Sequence, residues 1–399
     1  MSKRKIINDP VYGLISFPFD IIYDLIDHPH FQRLRRISQM GLSNYVYPGA
    51  THSRFSHALG ALHLMTTAIS VLREKEVEIT DDEYLAVCIA ILLHDIGHGP
   101  FSHALEQIII DKHHESISLD IMEALNEEFE GKLSLAIQIF KGQYHKIFLT
   151  QLVSSQLDMD RMDYLTRDSY FSGVAEGVIG YNRIISMLNV SDNQLVVEEK
   201  GIFSIEKFLV ARHIMYWQVY LHKTSIASEQ MLKAFMLRYR HCIQKGQIAD
   251  NFSLLTNLLV QFGKIDLDSK TYLNSFTKLD DIDIFNLIKE STNSADQVLN
   301  FLSKGILNRI LFGIVLSNKP IDSDFVADVR QRSVKKFNIS EEIANKLLIT
   351  GEESTTAYNN IKEEIKILSK NGDVKPVSAF LDTLVRVNKI TKYYLCYPK

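Results

Sequence analysis

The stretch from Cys88 to His103, CIAILLHDIGHGPFSH, constrains the fold more than any other part of the chain. The apolar run from Tyr84 to Leu93 reads as a buried helix, since it is about half of the roughly 20 residues that a bilayer span requires. It leads directly into His94 and Asp95, whose side chains diverge by about 100° on a helix and cannot both serve one amphipathic stripe. A buried carboxylate without a partner is costly, so Asp95 calls for a cation beside it. Gly97, Gly99 and Pro100 then end the helix and allow the backbone to approach a ligand closely.

Other donors of the same chemistry are spread along the chain. His57 lies in FSHALG, and LDMDRMDYLTRD supplies Asp158, Asp160 and Asp163 on one helical segment. Helical spacing does not single out one of the three aspartates. Imidazoles and carboxylates hold a divalent transition metal while leaving positions free for water and phosphate oxygen. His98 and His103 follow on the Gly-rich turn, and His113, His114 and Glu115 come soon after. Such histidine density suits a functional pocket better than a structural core, where each imidazole needs partners at both ring nitrogens. Eleven of the fourteen histidines fall between His28 and His145, which places the chemistry in the first half.

Composition limits the alternatives. With 399 residues and 46% hydrophobic content, the chain can build a sizeable core as one large domain or two ordinary ones. The net charge of -4 leaves no strong field for nucleic acid or an anionic membrane, so an anionic ligand needs a local basic pocket. Cys88, Cys242 and Cys396 are odd in number and far apart, which argues against a disulfide framework or a zinc knuckle. The N-terminus lacks the apolar stretch of a secretory signal, and a cytoplasmic location is the expectation.

The pattern along the chain is mostly helical. Asn8, Asp9, Pro10 and Gly13 predict a short hairpin, followed by a helix capped by Asp20. Two short helices are expected from Ile21 to Met40, divided near Pro29. Further helices are expected from Ser53 to about Arg73, from Thr80 to about Asp95, and from Leu149 to Asp168. LVVEEKGIFS predicts a hairpin turning at Lys200-Gly201, and TKYYLCYP a closing strand. The division expected is a core over residues 1–225 and a mostly helical region over 226–399 that packs on it and takes part in oligomerisation.

In DPVYG, HFQRLRRISQMG, YVYPGATHSRFSHALG, LLHDIGHGPFSH, HHES, LDMDRMDYLTRDS and VYLHK, the chain resembles the HD-domain deoxynucleoside triphosphate triphosphohydrolases. These include bacterial dGTPase-like enzymes and the catalytic core of the vertebrate SAM-and-HD-domain enzyme. The resemblance covers approximately residues 8 to 225. It implies a mainly α, HD-domain helical fold with small β-hairpins. It also implies that His57, His94, Asp95 and Asp160 are the metal ligands, which selects Asp160 among the three aspartates. The implied reaction is attack of metal-activated water on the α-phosphorus of a dNTP, releasing deoxynucleoside and intact triphosphate.

The same resemblance gives roles to other residues. His114 would protonate the leaving oxygen, Glu115 would orient His114, and His98 would contact the α-phosphate region. Arg54, His103, Arg161, Arg212 and Lys223 would contact phosphates. Gln39 and Met40 would hold the 3′-hydroxyl and crowd the 2′ side, with Tyr164, Asp168 and Tyr220 completing the sugar and base wall. The cofactor implied is a divalent transition metal, with Mn, Fe, Co, Ni and Zn not distinguished, and Mg accompanying the substrate phosphates. A homo-oligomer, dimer or tetramer, is also implied. Where the vertebrate-like motif has lysine and tryptophan after the metal aspartate, this chain has Arg161 and Met162. Two rival readings are an HD phosphatase or phosphodiesterase acting on another nucleotide, and a nucleotide-sensing binding protein.

Overall fold

The computed structural model describes residues 5–248, 253–265, 267, 270–355, 364–380 and 390–399. Over these residues the protein is mainly helical, with three small sheets. The expected N-terminal hairpin is present, Ile7–Asp9 pairing antiparallel with Gly13–Ile15. The Asp9 carboxylate accepts from the amides of Val11 (2.8 Å) and Tyr12 (3.0 Å), which closes its turn. The first helix, Asp20–Asp27, is capped by Phe19 instead of Asp20. Asp20 sits in the first turn, where its charge suits the helix N-terminus. Pro29 opens a separate turn of helix, and the helical segment expected to reach Met40 ends earlier, in a 3-10 turn over Arg33–Arg36. Ser38 instead bridges to Ser53.

Three helices make the frame of the site: Arg54–Glu74, Asp81–Leu93 and Met159–Ser172, with the first packed against both others. Thr80 caps the second through a reciprocal box with Glu83, as its sequence predicts. Arg54–Glu74 is long and apolar enough to cross a bilayer, but 67% of that window is buried within the protein. It is a core helix. It packs tightly on Met159–Ser172 at Gly60, where a Cβ atom would stand 2.0 Å from Asp163 Oδ1. No residue but glycine fits there.

Two further expectations are corrected. The helix expected from Leu149 to Asp168 is two, Ile147–Val153 and Met159–Ser172, because Asp158 accepts from the amides of Ser155 and Arg161 and starts a new helix. Lys200-Gly201 is not a hairpin turn. The hairpin pairs Leu188–Ser191 with Gln194–Glu198 and turns at Asp192 and Asn193, both at positive φ, while Glu199–Gly201 leads into the helix Ile202–Met215. The closing strand Ile390–Tyr397 does form, but as the middle of a sheet between Gly313–Ser317 and Ile349–Thr355. All three cysteines are free and buried.

Candidate active site

His57 lies one turn into the helix Arg54–Glu74, and His94 and Asp95 follow the end of Asp81–Leu93. Asp160 is in the first turn of Met159–Ser172. The helix ends bring His57, His94 and Asp160 into one group that could hold a metal, with Asp95 beside it and bonded to Arg54. His57 Nε2 is 3.1 Å from Asp160 Oδ1 and 3.6 Å from Asp95 Oδ2. His94 Nε2 is 3.5 Å from both Asp95 Oδ1 and Asp160 Oδ1. These separations suit donors facing a common cation.

The nitrogens facing inward are the unsatisfied ones. His57 Nε2 and His94 Nε2 are buried with no hydrogen bond. Their other nitrogens are engaged: His57 Nδ1 donates to Asp163 Oδ2 (2.7 Å), and His94 Nδ1 to the Ile91 carbonyl (2.6 Å). Such outer partners set the tautomer and leave a lone pair on Nε2 for a metal. Burial lowers the proton affinity of His57, but Asp160 and Asp163 outweigh it and raise its pKa to about 10. Burial acts to raise Asp95, yet Arg54, His94 and His98 hold it well below the usual carboxylate range. Two orphaned imidazole nitrogens among ionised carboxylates fit a divalent metal.

The three aspartates of the helix have separate tasks. Asp158 is the cap, and Asp163 orients His57 while accepting two bonds from Arg167, each 3.0 Å. Arg167 in turn donates to Asp9 Oδ2 (2.9 Å), so the N-terminal hairpin buttresses the metal site. Only Asp160 of the three faces the imidazoles' free nitrogens. The Asp163–Arg167 spacing of four residues was a legible signal of a helix pair. The Asp9 contact, 158 residues away, was not.

A second group, His98, His103 and His114, lies beside the first. The His98 and His114 rings stack with centroids 4.0 Å apart. Glu106, which sequence reasoning did not single out, accepts from His114 Nδ1 (2.6 Å) and His103 Nδ1 (3.1 Å). The orienting partner of His114 is therefore Glu106, and Glu115 instead lines the adjacent cavity. Burial and the neighbouring Arg54 push the His98 pKa well down, so this imidazole stays neutral. Gly97 makes the arrangement possible, since a Cβ there would stand 2.3 Å from the His114 carbonyl.

A cavity of about 460 Å³ opens on these groups. Asp95 and Asp160 reach it from the metal cluster, and His103, His114 and Glu115 from the second group. Arg54 and Arg161 supply positive charge, Gln39 and Met40 form one wall, and Tyr164, Asp168 and Tyr220 another. Arg54 bonds Asp95 and Ser102, while Arg161 bonds the Ser155 carbonyl (2.6 Å). Asp168 accepts from Tyr220 (2.7 Å) and lies 2.7 Å from His52 Nε2. Tyr216 and Glu229 also line the cavity, and neither stood out in the sequence. Burial raises the Glu229 carboxyl to about 7.

Three expected phosphate contacts are not in this cavity's walls, and the first of them, His98, lines a smaller pocket with Gly97, Gly99 and Phe276. Arg212 is buried and donates to Gln156 Oε1 (3.0 Å). Lys223 lines a second cavity, of about 340 Å³, together with Trp217, His222 and Lys392.

Comparison with known proteins agrees with this chemistry. The HD domain family matches residues 54–168, and the family described as HD associated region matches 179–256. The uncharacterized protein YwfO of Bacillus subtilis is 30% identical over 100% of this chain and 93% of its own length. The deoxynucleoside triphosphate triphosphohydrolase SAMHD1 homolog of Dictyostelium discoideum is 34% identical over 58% of this chain and 48% of its own. A crystal structure of a phosphohydrolase from Bacteroides thetaiotaomicron superposes with a TM-score of 0.94 at 47% identity, each chain covered in full.

Proposed function

From its membership of the HD-domain, dNTPase-like phosphohydrolase family, we propose that the protein hydrolyses dNTPs to deoxynucleoside and inorganic triphosphate. One observation carries this reading: a single cavity joins the metal-facing carboxylates, the imidazole of His114, two guanidiniums and the Gln39–Met40 wall. His57, His94, Asp95 and Asp160 hold the metal, which supplies Lewis-acid charge and lowers the pKa of water. Arg54 and Arg161 neutralise phosphate charge. Glu106 holds His114 by Nδ1, so its Nε2 delivers a proton to the departing 5′ oxygen. Tyr164, Asp168, Tyr220 and Gln39 receive the sugar, and Met40, which lines the same cavity, crowds its 2′ side.

Product analysis by mass spectrometry tests this across the four dNTPs with Mn²⁺, Fe²⁺, Co²⁺ or Mg²⁺. Triphosphate and deoxynucleoside are expected. Monophosphate or inorganic phosphate would instead indicate a phosphatase or phosphodiesterase. A Glu106→Gln or His114→Ala protein should keep its metal and lose about 10²–10⁴-fold in turnover. Loss of metal in either would move the second group into the metal site.

A further inference from the structure

Two adjoining loops, Ser38–Met40 and Phe101–His103, bring Gln39, Met40, Phe101, Ser102 and His103 to the cavity, yet they belong to separate elements and have no sequence reason to keep a set distance. Ser102 Oγ donates to the Ser38 carbonyl (2.7 Å), which joins them at one point. Asp281 joins them at a second. Its Oδ2 accepts from the Ser38 amide (2.8 Å) and its Oδ1 from the Phe101 amide (2.6 Å). Asp281 is buried and begins the helix Asp281–Ser291, far outside the region matched by the HD domain family.

The surrounding contacts keep this carboxylate in place. The buried Arg33 donates to the Leu279 carbonyl (3.1 Å) and also to the carbonyls of Ile96 (2.8 Å) and His98 (2.9 Å). Arg36 pairs with the neighbouring Asp280, a contact that makes no bond to either loop. Phe101 and Ser102 have φ of 56° and 53°, a left-handed conformation that non-glycine residues adopt only when their surroundings enforce it. A carboxylate bound to the Phe101 amide is such an enforcement.

We infer that Asp281 is a positioning residue that fixes the Ser38–Met40 and Phe101–His103 stretches against each other, and so the placement of Gln39, Met40 and His103 in the cavity and the discrimination between deoxyribose and ribose. It touches no substrate. Its two acceptors match one amide donor on each loop, and one carboxylate cannot follow both loops if they part. The inference rests on the dNTP reading of the same cavity.

The test compares kcat/KM for each dNTP with that for the matching NTP, alongside metal content and melting temperature. Asp281→Asn, which loses one acceptor, is expected to keep its metal while the dNTP/NTP ratio falls by about tenfold or more. Asp280→Asn removes the Arg36 pair and neither loop bond, and should keep the wild-type ratio. An unchanged ratio in a folded, metal-loaded Asp281→Asn protein overturns the inference. Wild-type protein inactive on every dNTP overturns the dNTP reading, and hydrogen exchange then judges the clamp alone. Asp281→Glu retains the charge but displaces both acceptors, so the Ser38 and Phe101 amides should lose protection together, while the Gln39 amide, bonded to the His52 carbonyl, does not. Wild-type Ser38 and Phe101 amides that exchange as freely as exposed loop amides would overturn the clamp without any variant.

Discussion

Asp158, Asp160 and Asp163 occupy barely two turns of one helix, and their consequences on substitution should differ sharply. Asp160→Ala should lose metal and activity together, as judged by elemental analysis and turnover. Asp158→Ala removes a cap and should cost about 1 kcal/mol of stability with metal retained. Full metal occupancy in Asp160→Ala would refute the ligand set. At this scale pH also enters. The folded pKa of His57, about 10, lies above its ordinary value of 6.5. In the metal-free protein its stabilising contribution is therefore complete below about pH 6.5 and is lost as pH rises toward about 10. A metal must displace that proton, so its affinity should tighten by about tenfold per pH unit over the accessible part of this window, near pH 6.5 to 8. Calorimetric titration showing an affinity independent of pH would contradict this.

At the scale of elements, the site depends on where helices end and how closely they approach. Gly60 lets Asp163 and Arg167 reach behind His57, and Gly97 lets the helix beginning at His114 cross the HD turn. Gly60→Ala should cost about 1–3 kcal/mol from overpacking and should weaken metal binding, because the group displaced is the one that orients His57. Wild-type metal affinity in a Gly60→Ala protein would show that the approach is not needed. Helix existence was legible from apolar spacing and from the Thr80–Glu83 box. The break at Ser154–Asp158 was not, since one carboxylate bonding two local amides leaves the apolar pattern on either side unchanged.

Across the whole molecule, the metal centre is tied to distant chain. Asp9 of the hairpin supports Arg167, and the segment Leu279–Asp281 holds two adjoining loops of the cavity. Metal binding at a site formed only in the folded state stabilises that state, by about 2.7 kcal/mol at a free concentration 100 times Kd. Chelation should lower the melting temperature by a few degrees, and restoring the metal should reverse it. A melting curve unaffected by chelator, in protein shown to have lost its metal, would place the ions outside the folded core.

The sequence by itself determined the helical class and the imidazole-rich turn and pointed to three candidate metal donors, because apolar periodicity and donor chemistry are local properties. It reached Asp160 only through resemblance to a family. The tertiary structure decided the rest: which aspartate faces the free imidazole nitrogens, which carboxylate bonds His114, and that Lys223 lines a different cavity from Arg161. The physical reason is that these depend on the direction of a side chain and on partners brought close by folding, as Glu106, Asp9 and Asp281 are. No spacing along the chain encodes such a meeting.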